Sequence, residues 1–169
     1  ILPNTIIGED VKKITEQIKD IAPKLEGKTI LVTGGSGFLG GYFLDVVAFL
    51  NEHHFSRPCK IICVDNLIVG DQKRFAPLVS KDYFTFIQHD ITKPFIYDGP
   101  IDFIVHAASI ASPTYYRQHP LETIDANVTG TRHLLQLALD KKVKSFLFMS
   151  TSETYGDPPP EFIPTPETY

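Results

Sequence analysis

A chain of 169 residues with 43% hydrophobic and 21% charged residues has the balance of one ordinary globular domain with a proper core. Its net charge of −4, with no basic run, gives nucleic acid no electrostatic footprint. The most apolar stretch, 42–50, is too short to cross a bilayer and holds Asp45, and no signal-like segment opens the chain, so the expectation is a cytoplasmic protein without membrane contact.

Residues 9–22 are predicted to form an amphipathic helix, with Val11, Ile14, Ile18 and Ile21 at three- and four-residue spacing. Pro23 and Gly27 stop it, and it should cover an edge of the core. From Lys28 the pattern alternates. Strands are expected at 29–33, 60–65, 83–89, 102–106 and 144–150, with helices at 37–51 and 121–141. Residues 51–60 read as an insertion after the first of these helices. Short apolar strands alternating with helices imply parallel pairing and right-handed crossovers. The fold class is therefore α/β, a doubly wound parallel sheet of the Rossmann kind, with ligands at the carboxyl ends of its strands. The organisation follows: 1–27 as an N-terminal helix and lead-in, 28–157 as a dinucleotide-binding domain, 158–169 as a proline-rich segment.

Cys59 and Cys63 lie four apart in one strand, too far for a comfortable disulfide, and should be core thiols. His53 and His54 have no further Cys or His at ligand spacing and read as a solvated helix end, so no metal is expected. The chain begins at Ile1 without Met and ends among Pro158–Pro160, Pro164 and Pro166, which suggests a piece of a longer protein.

The chemistry starts at Thr33-Gly34-Gly35-Ser36-Gly37-Phe38-Leu39-Gly40. A glycine triplet alone is weak evidence, but this one follows a strand and opens a helix. There, glycines permit a tight turn and close approach to a pyrophosphate, and the helix start offers unpaired N–H groups. The next strand ends in Asp65-Asn66, 25 residues beyond Gly40. A carboxylate there can accept from a ribose diol and would repel a 2′-phosphate, favouring NAD over NADP.

With these marks the sequence resembles the extended short-chain dehydrogenases/reductases that act on nucleotide sugars. Four further segments match in order. Asp90-Ile91 resembles the pair that touches adenine, and His106-Ala107-Ala108-Ser109 the strip lining the cofactor. Asn127 resembles the family's structural and catalytic asparagine, and Ser150 to Gly156 its active-site strip. Ala108, Ala111, Ser112, Pro113, Tyr116 and Pro120 are similar to a strip that UDP-glucuronate decarboxylases carry beside the sugar. Thr151-Ser152-Glu153 resembles their T-S-E triplet, while Thr154 departs from the usual Val and Ser109-Ile110 from the usual pair.

The resemblance implies an NAD-dependent enzyme acting on a UDP-sugar, UDP-glucuronate foremost. Hydride leaves C4, the 4-keto acid loses CO2, and hydride returns. Within it, Thr151 would hydrogen-bond the C4 oxygen, Ser152 support it, and Glu153 handle protons near C5. Ser112, Pro113 and Tyr116 would touch substrate, while Arg117 is as much a solvated loop charge as a contact. A sugar-nucleotide 4-epimerase or 4,6-dehydratase is the nearest alternative, and a non-catalytic NAD-binding module the alternative of another class. No Tyr has Lys four residues later, whereas the family's oxidation step needs Tyr-x-x-x-Lys. The resemblance puts that motif beyond Tyr169, so this chain by itself should be inactive and the full-length enzyme a homodimer.

Overall fold

The computed structural model describes residues 5–169; the first four residues of the predicted lead-in lie outside it. Five parallel strands form one sheet: β1 (Thr29–Thr33), β2 (Lys60–Asp65), β3 (Phe84–Gln88), β4 (Phe103–His106) and β5 (Ser145–Phe148). Their spatial order is β3-β2-β1-β4-β5. The topological switch falls between β1 and β4, where a doubly wound sheet opens a crevice at its carboxyl edge.

The two faces divide the strands residue by residue. Ile30, Val32, Ile61, Cys63 and Val105 join a core with Leu44, Val47 and Ala48 of α2 (Phe38–His53). Leu31, Ile62, Val64 and Ile104 join another with Leu134, Leu137 and Ala138 of α5 (Thr131–Lys141) on the far side. The period-two alternation that would leave one face wet here serves two dry faces. Both cysteines are free and buried, and burial pushes each thiol up to about 12.

The predicted N-terminal helix starts and stops earlier than 9–22. α1 spans Ile6–Gln17 because Thr5 caps it, its hydroxyl accepting from Gly8 N at 3.1 Å. Val11, and not Ile21, carries its buried side: Val11 packs with Val46 and Leu50 of α2, while Ile21 is exposed and Ala22 takes its place in a 3₁₀ turn, Ala22–Leu25. After α2, Asn51 holds the predicted insertion in place. Its amide donates to Cys59 O at 2.8 Å and accepts from Cys59 N at 2.7 Å. His53 ends α2 with its ring stacked on Phe49 at 4.1 Å.

The helix predicted across 121–141 is not continuous. α3 (Pro113–Gln118) and α4 (Pro120–Ile124) lead into a π turn, Asp125–Gly130, and only then does α5 (Thr131–Lys141) begin. Thr131 Oγ1 donates back to Asn127 O at 2.6 Å, a bond that bends a helix. α5 ends at Lys142 in the left-handed region. Among the described residues no helix is long and apolar enough to cross a membrane.

Candidate functional site

The glycine loop makes the first wall of a cleft. Gly34 N donates to Val64 O at 2.9 Å, which pins the loop to β2, and Gly37 N donates to Gly34 O at 3.0 Å. Gly34 has φ +72, and a Cβ there would lie 2.5 Å from Ala107 O. Only glycine lets β1 and β4 release their chains this close together. A Cβ on Gly40 would lie 2.1 Å from Gly34 O, so the start of α2 is seated against the loop backbone. The positive end of α2 faces the cleft with its first N–H groups free of helical partners.

Asp65 closes the second wall. Its Oδ2 accepts from Ser36 N at 3.0 Å and from Ser36 Oγ at 2.6 Å, and its Oδ1 from Leu67 N at 2.8 Å. The carboxylate thus ties the glycine loop to the segment after β2 and keeps one lone pair, on Oδ1, free for a diol hydroxyl. Asp90 caps its own turn, accepting from Thr92 N at 3.0 Å. Ile91 is buried against Gly130, whose missing Cβ would lie 2.7 Å from it.

The cleft has a volume near 540 Å³ and runs along the carboxyl edge of β1, β2 and β4. Of the residues predicted to bind cofactor or substrate, Gly34, Gly37, Phe38, Asp65, Asn66, Asp90, Ile91, Ala107, Ala108, Ser109 and Ser112 line it. Leu39, Gly40, Asn127, Pro113 and Tyr116 do not. Gly40 instead supports the loop from below. Asn127 sits on the π turn, whose neighbours Asp125 and Ala126 reach the cleft. Thr151, Ser152 and Glu153 are exposed beyond β5 and are not part of the lining. Thr151 caps a 3₁₀ turn, Ser152–Tyr155, its hydroxyl accepting from Glu153 N at 3.3 Å.

Sequence reasoning missed Ser36, the Ile68–Gly70 bend, Glu122 and Asp125. Ser36 was legible as the polar residue inside the glycine loop; Asp125 was not, because it lies on the π turn. Asp65, Asp90, Glu122 and Asp125 line the cleft with no lysine or arginine among the lining residues. A pyrophosphate would therefore rest on backbone N–H groups and the α2 dipole, and a 2′-phosphate would meet no cation.

The sequence model of the NAD dependent epimerase/dehydratase family matches residues 30–169, the stretch that builds this cleft. The chain belongs to that family. UDP-glucuronic acid decarboxylase 1 of Arabidopsis thaliana is 39% identical over 141 residues, 83% of this chain and 29% of the relative. UDP-glucuronic acid decarboxylase 1 of Xenopus tropicalis is 36% identical over 143 residues, 84% and 31%. Among solved structures, a UDP-glucose 4-epimerase of Thermotoga maritima with UDP-glucose superposes with a TM-score of 0.67 at 29% identity. That match covers 83% of this chain and 43% of the epimerase. A dTDP-glucose 4,6-dehydratase of Streptomyces venezuelae with NAD bound gives 0.67 at 29%, covering 78% and 42%. The chain spans about a third of the length of the curated relatives it matches.

Proposed function

We propose that this chain is the cofactor-binding portion of an NAD-dependent nucleotide-sugar enzyme whose reaction is decarboxylation of UDP-glucuronate. In that reading, residues 28–157 are the cofactor-binding unit and 158–169 lead toward a tyrosine and lysine supplied later in the sequence. The observation that carries it is the pairing of a pyrophosphate cradle with decarboxylase-like residues. Gly34 and Gly40 leave spaces that a single Cβ would fill, and relatives named as UDP-glucuronic acid decarboxylases match through the same stretch.

NAD held in this cleft would supply reversible hydride transfer at C4 of the sugar. The chain's own residues bind and orient. The first turn of α2 takes the pyrophosphate, Asp65 accepts from the ribose diol, and the Ala107–Ser109 strip forms the floor. Ser112, Pro113 and Tyr116 are assigned to the sugar side, with Ser112 already on the lining. Thr151 is assigned to hydrogen-bond the C4 oxygen, Ser152 to support it, and Glu153 to move a proton near C5. Their exposure in this chain fits a site completed by further sequence. Asn127, on the π turn, is assigned to hold that turn beside the cofactor.

The surface of the α4–α5 segment supports the reading of the full-length enzyme as a homodimer. Leu121, Ile124, Val128, Leu135 and Leu139, spread over α4, the π turn and α5, are all exposed apolar side chains that a second copy would cover.

The deciding experiment is incubation of the full-length gene product with UDP-glucuronate and NAD. Release of CO2 with formation of UDP-xylose is expected. UDP-galacturonate without CO2 would make the protein an epimerase, the activity of several structural neighbours. The 169-residue chain alone is expected to turn over nothing, since none of its tyrosines has a lysine four residues on. NAD binding without any turnover of sugar nucleotides by the full-length product would leave the binding-module reading.

A further inference from the structure

His106, the last residue of β4, belongs to the strip matched to the cofactor, yet its ring is buried behind the cleft lining and has no role assigned so far. It is 2% exposed and has a partner on each ring nitrogen: Thr33 Oγ1 lies 2.9 Å from Nδ1, and Thr131 Oγ1 lies 3.0 Å from Nε2. Two flanking contacts fix where the protons are. Thr131 has one hydroxyl hydrogen, and its oxygen lies 2.6 Å from Asn127 O, an acceptor that holds no proton. The hydrogen must lie in that short bond, so Thr131 Oγ1 can only accept from the ring. Nε2 therefore carries the hydrogen and Nδ1 the lone pair. Thr33 then donates to Nδ1, which leaves its oxygen free to accept from Ala108 N at 3.3 Å. Every donor and acceptor from Ala108 N–H to the Asn127 carbonyl is satisfied in one direction.

We propose that His106, locked as the neutral Nε2–H tautomer, is a positioning residue that registers the π turn against the glycine loop. The two ends of the relay support this, given the cofactor reading above. At one end, Thr33 precedes Gly34 and holds Ala108, both cleft-lining positions. At the other, Thr131 grips the carbonyl of Asn127, one residue past Asp125 and Ala126, which line the opposite wall. A π turn is less favourable than continued α-helix and persists where surrounding contacts hold it. Here the contacts are the Thr131 bond to Asn127 O and the packing of Gly130 on Ile91. Without the ring, β1 and β4 would set their side of the cleft independently of the helix that sets the other.

The test has two arms on the full-length gene product. Long-range ¹H–¹⁵N correlation of histidine-labelled protein reads the tautomer directly, and His106 is expected to show a protonated Nε2 and an unprotonated Nδ1. A protonated Nδ1, or a rapidly exchanging mixture, overturns the relay. In the second arm, calorimetry measures NAD binding. Thr131→Val removes both bonds of the hydroxyl and is expected to weaken NAD about tenfold, while Thr131→Ser restores wild-type binding. Thr131→Val with unchanged affinity overturns the positioning role. Wild-type protein that binds no NAD defeats the cofactor reading instead, and the tautomer spectrum, which needs no cofactor and no variant, then judges the relay alone.

Discussion

Replacing Gly40 by alanine sets two effects of opposite sign against each other. Gly40 lies in the first turn of α2, where alanine is favoured over glycine by about 1 kcal/mol. The new Cβ, however, would lie 2.1 Å from Gly34 O, 2.7 Å from Gly34 C and 3.1 Å from Gly35 Cα. All three are backbone atoms, so no side chain can swing away. Relief requires α2 and the loop to part by about 1 Å, and forced expansion of a packed contact costs about 1–3 kcal/mol. The helix gain offsets part of that, which leaves a net loss of about 0–2 kcal/mol. The effect on binding is larger, because the gap opens at the pyrophosphate cradle. Losing one charge-assisted hydrogen bond there, about 1.5–3 kcal/mol, weakens NAD roughly 10- to 100-fold. Gly37 is the control. Its added Cβ would meet only Gly34 O at 3.2 Å, and its backbone is extended, so Gly37→Ala should cost much less in both measurements. Calorimetric titration with NAD and thermal melts of both variants check this. Gly40→Ala with wild-type Tm and wild-type NAD affinity would refute the reasoning.

Burial pushes the His106 ring down to about 4, whereas in the unfolded chain it titrates near 6.5. The neutral ring is the folded form, so stability is full above pH 6.5 and falls by about 3 kcal/mol as pH drops toward 4; urea midpoints of wild type and His106→Asn should converge across that window. Asn51→Ala leaves the backbone N–H and C=O of Cys59 unpaired in a buried position and should cost about 2–4 kcal/mol by urea denaturation. Asp65→Asn removes the charge that would repel a 2′-phosphate and disturbs the bonds to Ser36, so NAD should weaken and the preference over NADP narrow in parallel titrations. Glu153→Gln in the full-length product should lower kcat while leaving NAD affinity intact; weakened NAD with unchanged kcat would remove Glu153 from the proton chemistry.

The parts of this structure legible in the sequence are those whose cause is local. β1 and β2 were bounded to the residue because each is a continuous apolar run between turn formers, buried on both faces. The glycine loop was legible because Gly34 and Gly40 each answer a backbone requirement that a side chain would break, and Asp65 because a strand end fixes its distance from that loop. The N-terminal helix shows the limit of periodicity. Ile18 and Ile21 continued the apolar stripe, but the geometry of a cap at Thr5 and a turn before Pro23 decided the boundaries.

The π turn was not legible for a different reason. Residues 121–141 keep their apolar spacing in sequence straight through it, with Ile124, Val128 and Leu135 four and seven residues apart. What interrupts it comes from elsewhere: a histidine on β4 that can only donate to Thr131, and Ile91 seated where Gly130 has no side chain. Sequence reasoning placed both residues in motifs of their own and gave neither a bearing on the helix. The same interruption carries Asp125 and Ala126 to the cleft while Asn127 stays off its lining. A contact between two motifs, each readable alone, thus decides which residues of a third reach the cofactor. The positions that matter there are the ones whose partners lie tens of residues away.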